Sequence, residues 1–254
     1  MSGPGLRTPP ADHLLGVDLG EPQGRVNVAA LVDAGCDFVI IRATQGLHDI
    51  DKEAERTAAA CIAELLPFTF YGVLCPYPVP QAEAQARHFL ELSKGYPLAI
   101  PPALDFELSK GRTAVELFEA GRIWCETVEA ELGKPTMVYT SPAFVEQLDK
   151  LDGVDGPHPE LVRLAERRLW LAHYTGDFAR GPRTPVPWSG APWVWQGSGN
   201  HYTKLPSGER VLCSPNYSTL PGGSVEVDVN LFAGDLSELL APMARPASPA
   251  AQRP

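Results

Sequence analysis

The chain has 254 residues, 44% of them hydrophobic, with a net charge of −10 and a pI of about 5.1. That length suits one large domain or two small ones, and a single α/β barrel commonly reaches it. Lys and Arg are nowhere concentrated beyond the short cluster Arg163, Arg167 and Arg168. The chain therefore lacks the basic footprint of a nucleic-acid binder, and long-range attraction does not draw it to an anionic surface.

Five cysteines, Cys36, Cys61, Cys75, Cys125 and Cys213, are widely spaced with no CxxC pair. The expected reading is small buried hydrophobes in a reducing compartment, without a zinc site, a redox motif or a disulfide framework. Residues 1–11 and the Pro/Ala-rich residues 242–254 read as disordered tails around a domain spanning 12–241. Leu14–Val17 is too short for a signal-peptide core or a membrane span. Synthesis in the cytoplasm without an export signal, and no membrane insertion, are the expectations. No internal repeat is visible.

Between the tails the first half alternates. His13–Leu19 is a short apolar run ending in acid, and Val26–Ala34 has helical spacing. Phe38–Arg42 is a β-branched run suited to a buried strand. Asp51–Leu65 is an alanine-rich helix with Asp51 as its N-cap. A strand at Phe68–Leu74 and a helix at Gln81–Leu92 follow. Leu98–Phe106 is a strand whose early part is weakened by two prolines. Thr113–Leu132 is a long amphipathic helix opening on the capping box Thr113-x-x-Glu116. Thr136–Thr140 and Ala143–Lys150 add a fifth strand and helix. Strands alternating with helices imply βαβ units and parallel pairing. Beyond about residue 168 the pattern changes to three strands, Leu169–His173, Trp193–Gln196 and Val225–Val229, joined by Pro/Gly/Ser-rich loops. The fold class is α/β, an irregular TIM-like barrel of five βα units closed by three strands, (β/α)5(β)3.

Active sites of parallel barrels lie at the C-terminal ends of the strands. Asp18 ends the first predicted strand, Asp105 and Glu107 the fourth, and Asp228 the last. Residues i and i+2 of a strand share a face, which sets Asp105 and Glu107 roughly 6.6 Å apart at Cβ from a rise of about 3.3 Å per residue. Like charges that close separate their pKa values. One acid then stays protonated while the other stays ionised, the division of labour that glycosidic cleavage needs. Two solvated acids at an exposed strand end is the competing reading of the pair alone. The six histidines are scattered, with no HExxH or HxH spacing, so neither a metal nor another cofactor is expected. No GxSxG, P-loop or GxGxxG supports acyl transfer or nucleotide chemistry.

Several segments then line up together. They are Gly16-Val17-Asp18 with Gln23-Gly24, the run Ala34–Gly46, Asp51, Leu104-Asp105-Phe106-Glu107, and Val138–Ser141. Trp170-Leu171-Ala172-His173-Tyr174, Trp195-Gln196 and Val227–Phe232 complete the set. In order and spacing the chain resembles the glycoside hydrolase family 25 lysozymes, the muramidases of the Chalaropsis type found in phages and bacteria. The resemblance covers most of residues 14–236. It implies a (β/α)5(β)3 barrel acting on the glycan strands of peptidoglycan. Glu107 would be the general acid and Asp105 would assist at the anomeric carbon, with Asp18 and Asp228 tuning both. Tyr71, Tyr139, Trp170 and Tyr174 would line the sugar groove. Arg42 is either a salt-bridge partner of a site acid or a substrate contact. Trp193 and Trp195, at i and i+2, share a face in the barrel wall or stack on sugar. A leaderless wall hydrolase fits phage-type release or a specialised export route, and nothing in the sequence points to a protein partner.

The chain departs from the family pattern at Gly20, where Ser is usual, at Val28, which replaces a Trp, and at Tyr71-Gly72-Val73, where Tyr-His-Phe is frequent. A retaining route in which the substrate's own 2-acetamido group attacks C1 suits the site, since substrate assistance is a known exception to the two-carboxylate scheme. A chitinase-like barrel would want Asp at Ala103. A non-catalytic glycan-binding barrel is the alternative of another class.

Overall fold

A computed structural model describes residues 12–76, 79–152, 156–175, 181–198, 202–204, 210–212 and 227–241. The expected tails at 1–11 and 242–254, and Cys213, lie outside these residues.

The main sheet runs β1 (His13–Leu19), β11 (Asp228–Ala233), β8 (Val194–Ser198), β7 (Arg168–Ala172), β6 (Met137–Thr140), β5 (Ala103–Asp105), β4 (Phe68–Val73) and β2 (Phe38–Gln45). A further β1–β2 pairing closes these eight strands into a barrel, and β3 (Asp49–Ile50) is appended to β2. β9 (Tyr202–Lys204) and β10 (Arg210–Leu212) form a separate hairpin. Helices α1 (Val28–Asp33), α2 (Ala54–Ala63), α3 (Val79–Ser93), α4 (Ala114–Leu132) and α5 (Pro142–Asp152) follow the first five barrel strands. The (β/α)5(β)3 expectation holds. The short helices α6 (Pro159–Leu164) and α7 (Leu236–Leu239) were not predicted. No helix among the described residues is long and apolar enough to cross a membrane.

Strand alternation builds two cores. The outward residues Val17, Val39, Ile41, Phe70, Leu104, Val138 and Leu171 are buried against the helices. Inward residues Phe38, Ile40, Ala103, Met137, Trp170, Val194 and Phe232 fill the barrel. β2 is therefore buried on both faces, which is why its sequence is a continuous apolar run. Gly16 faces inward, and a Cβ there would stand 2.3 Å from the Phe38 ring, so glycine makes room for that ring. Gly72 faces outward, where a Cβ would meet Trp124 of α4 at 3.0 Å and Phe89 of α3 at 3.1 Å. The departure from the family pattern at that position thus accommodates two helices.

Four expectations need correction. β5 spans only Ala103–Asp105, since Pro101 and Pro102 cannot donate to a ladder. α2 begins at Ala54 with Glu53 at its N-cap; Asp51 lies earlier and serves Arg42 instead. The last strand is Asp228–Ala233, antiparallel to both β1 and β8. Asp228 therefore opens that strand, and the reversed direction brings it to the same mouth as the other acids. Finally, Trp193 and Trp195 do not share a face. Trp193 precedes β8 and packs on Phe232 inside the barrel, whereas Trp195 points outward onto Leu231 and Leu15.

Candidate active site

The mouth of the barrel collects the acids. Asp18 and Asp105 sit at the C-terminal ends of β1 and β5, Glu107 follows two residues later, and Asp228 opens β11. Asp18 and Asp228 are register partners across the β1–β11 ladder. Asp105 is 7% exposed while Glu107 stands exposed at the rim. Oδ1 of Asp105 is buried without a hydrogen-bond partner among the described residues.

Asp18, Asp105 and Glu107 are electrostatically strained. Burial pushes Asp18 well above the usual carboxylate range, and Asp228 adds to the push, while amides of Asn230 and Gln196 partly offset it. Burial likewise raises Asp105 well above its ordinary value, followed by the charges of Glu107 and Asp18, with Arg42 opposing. Glu107 is raised by partial desolvation and then by Asp228. Both members of the Asp105–Glu107 pair are thus biased toward holding a proton. Strongly perturbed acids converging in one cleft are a mark of a catalytic site.

Arg42 is held by a 2.7 Å hydrogen bond from its Nε to Asp51 Oδ2. The same oxygen accepts the Glu21 N–H at 2.7 Å, and Oδ1 accepts the Glu53 N–H at 3.0 Å. A Cβ on Gly20 would approach Asp51 Oδ2 to 2.9 Å, so the glycine at this departure from the family pattern leaves space for the pair. Arg42 is thereby fixed beside the acids by Asp51, which is not one of the four.

The family model described as "Glycosyl hydrolases family 25" matches residues 17–204, a span that includes Asp18, Asp105 and Glu107. The chain belongs to glycosyl hydrolase family 25. It is a glycoside hydrolase with that family's irregular barrel. Among solved structures, a family 25 glycosyl hydrolase from Bacillus anthracis is 17% identical with TM-score 0.67, covering 94% of this chain and 97% of that one. A lysozyme from Streptomyces coelicolor is 20% identical with TM-score 0.68, covering 90% and 95%. The spore cortex lytic enzyme SleM from Clostridium perfringens is 23% identical with TM-score 0.71, covering 91% and 70%. Comparison with curated protein sequences returns no match.

In this family 25 barrel the predicted aromatics separate. Tyr71 and Tyr139 face the mouth, with ring centroids 5.6 and 4.5 Å from Trp170. Tyr174 is 46% exposed at the rim. Trp170 is only 1% exposed. Its ring packs against the two tyrosines and its indole N–H donates to Asn230 Oδ1 at 2.7 Å, so it is a buried support beneath the mouth. Trp195 is 5% exposed on the outer face, with its indole N–H on the His173 carbonyl at 2.8 Å, which removes it from the groove. Trp124 and Trp188 are both buried.

Two polar side chains at the heart of the site were not predicted: Gln196, 2% exposed, and Asn230, fully buried. Their signal was present, because each stands beside buried apolar strand residues, Val194 and Trp195 before Gln196, and Val229 and Leu231 around Asn230. A cavity of about 620 Å3 lined by Arg168, Trp193 and Phe232 lies at the opposite end of the barrel, and none of the four acids borders it.

Proposed function

We propose that the protein hydrolyses the β-1,4 bond between N-acetylmuramic acid and N-acetylglucosamine in peptidoglycan, with retention through substrate assistance. The observation that carries this reading is the buried, unpartnered Oδ1 of Asp105 at the foot of the mouth, next to Glu107. A buried acceptor without a donor is costly unless a ligand supplies one. The N–H of a 2-acetamido group is a donor of the right kind.

Before substrate binds, Asp105 is the more deeply buried acid of the pair and holds a proton readily. A bound acetamido N–H offsets that desolvation and favours the ionised form, while the sugar further desolvates Glu107 at the rim and keeps it protonated. The acetamido oxygen then attacks C1. The C1–O4 bond breaks as Glu107 delivers its proton to the leaving oxygen. Ionised Asp105 orients the N–H and stabilises the positive charge spread over the oxazolinium ring. Glu107, now a carboxylate, takes a proton from water as that water opens the ring at C1, and the acid is restored. Tyr71 and Tyr174 would flank the sugar, and Arg42 would moderate the charge on Asp105.

The peptidoglycan substrate finds support in the lysozymes and the spore cortex lytic enzyme whose fold the chain shares. A further structure of this fold is the CTP1L endolysin, with TM-score 0.63. Action would be on the cell wall, reached by phage-type release or non-classical export.

Purified wild type and Glu107→Gln would be incubated with peptidoglycan, and new reducing ends identified by mass spectrometry after borohydride reduction. Muramitol ends from wild type alone support the reading. Glucosaminitol ends would move the cut to the other bond. No ends on peptidoglycan with cleavage of chitin oligomers would replace the substrate.

A further inference from the structure

Around Asp18 the hydrogen bonds form a closed directional set. The hydroxyls of Tyr139 and Tyr174 both reach Gln196 Oε1, at 2.9 and 2.7 Å. With Oε1 turned to the two phenols, Nε2 faces the other way, toward carboxylates that accept when ionised. There it lies 2.8 Å from Asp18 Oδ2 and 3.4 Å from Asp228 Oδ2. Asn230 repeats the scheme. The Trp170 indole N–H, which can only donate, meets Asn230 Oδ1 at 2.7 Å, and this leaves Asn230 Nδ2 to donate to the same Asp18 Oδ2 at 2.7 Å. Three aromatic donors thus set two buried amides, and both amides point N–H groups at one carboxylate oxygen.

We infer that Gln196 and Asn230 are positioning residues that draw Asp18 toward its ionised form against the burial around it, and that Tyr139, Tyr174 and Trp170 serve by orienting these amides. The inference rests on the proposed glycosidase reading only for its catalytic consequence. Two amide N–H bonds to one carboxylate oxygen favour the ionised form and so work against the burial and the Asp228 charge that raise Asp18. Once ionised, Asp18 is a negative charge in the floor, facing Asp228 on β11, Tyr71 on β4, Asp105 on β5, Tyr139 on β6 and Tyr174 beyond β7. Its charge favours a proton on the Asp105–Glu107 pair, where the reaction uses one. Arg42 on β2 opposes this effect at Asp105.

The test is read first without substrate. Protein labelled with 13C at the aspartate carboxyls is titrated by NMR, and Asp18 is assigned by its loss in Asp18→Asn. Gln196→Leu removes one charge-assisted donor, worth about 1.5–3 kcal/mol, so the Asp18 midpoint is expected to rise by one to two pH units. An unchanged midpoint overturns the inference, whether or not the protein cleaves peptidoglycan. Tyr174→Phe, at an exposed position, and Tyr139→Phe guard against a misfolded Gln196 variant. Either hydroxyl alone still anchors Oε1, so each single change is expected to move the midpoint little, while the double variant moves it by more than the sum. Additive, small effects overturn the orienting role of the tyrosines.

Activity on soluble glycan strands gives the second reading. The double Phe variant is expected to lower kcat at least tenfold with KM within twofold, and to move the acidic limb of the kcat profile to higher pH. A raised KM with unmoved kcat and pH limb would leave the tyrosines with sugar contact alone and overturn their orienting role. A wild type inactive on every glycan would defeat the proposed function and leave the NMR result standing.

Discussion

Asp18 and Asp228 face each other as register partners across the antiparallel β1–β11 ladder. Cα atoms so opposed lie about 4.5–5.5 Å apart, and two like charges there destabilise the pairing. The barrel tolerates the clash because Gln196 Nε2 bridges both carboxylates and Asn230 supports one of them.

Asp228 also reaches Glu107, whose carboxyl is raised by burial and then by the Asp228 charge. Asp228→Asn removes the second contribution and lets the proton leave Glu107 at lower pH. The basic limb of kcat/KM, which reports loss of the general acid's proton in the free enzyme, is therefore expected to move to lower pH. A pH–rate series on soluble glycan strands measures it. An unmoved limb would show that Glu107 does not feel Asp228.

Asp105 gives a stability prediction of definite sign. Its carboxyl is raised in the folded state by burial, Glu107 and Asp18. A folded pKa above the unfolded one means that stability is present at pH below the unfolded pKa and is lost as pH climbs toward the folded one. Asp105→Asn cannot ionise. It is expected to raise Tm at pH 7 by about 2–4 °C for each kcal/mol of relieved strain, with the gain vanishing near pH 3, while hydrolysis falls by about a hundredfold or more. Calorimetry at both pH values checks this, and a variant less stable at pH 7 would contradict it.

Trp195 separates the outer wall from the groove. Trp195→Phe loses the indole bond to the His173 carbonyl and leaves a small void against Leu231 and Leu15. A loss of about 1–3 kcal/mol in urea unfolding is expected, with KM on glycan strands unchanged. A selective rise in KM would place this ring in the substrate path after all.

Glu129 and Arg167 form a buried pair tying α4 to the segment before β7. The guanidinium Nε and Nη2 lie 3.1 and 3.0 Å from the carboxylate, which also accepts from Thr136 N–H and Oγ1. Removing one partner strands the other charge. Glu129→Ala is expected to cost about 3–5 kcal/mol, whereas Glu129→Leu with Arg167→Met recovers most of it. Chemical denaturation of the single and double variants provides the comparison.

Much of this arrangement was legible in the chain itself. The 3.6-residue and two-residue periods gave the βα units, and Thr113 with Glu116 marks the start of α4, where the capping box is present. Asp105 and Glu107 were legible because period-two parity carries both to one face. Asp228 was found through a misplaced strand. The sequence suggested one ending at Val229, but the strand begins at Asp228 and runs backwards. Trp195 misled because parity holds only inside a strand, and Trp193 lies just before β8 begins. Gln196 and Asn230 went unseen because a polar residue on a short strand reads locally as solvent-facing.

The sequence by itself determined the order of elements, the two buried faces of the strands, and the acids that those strands carry to their ends, since each is written in a local period. Only the tertiary structure decided that β11 enters antiparallel, that Asp18 meets Asp228, and that the amides of Gln196 and Asn230 turn toward Asp18. These are contacts between strands at opposite ends of the chain: Asn230 and Asp18 are 212 positions apart. Closing such a loop fixes who faces whom through the pairing and register of the whole barrel, and no local pattern encodes that choice.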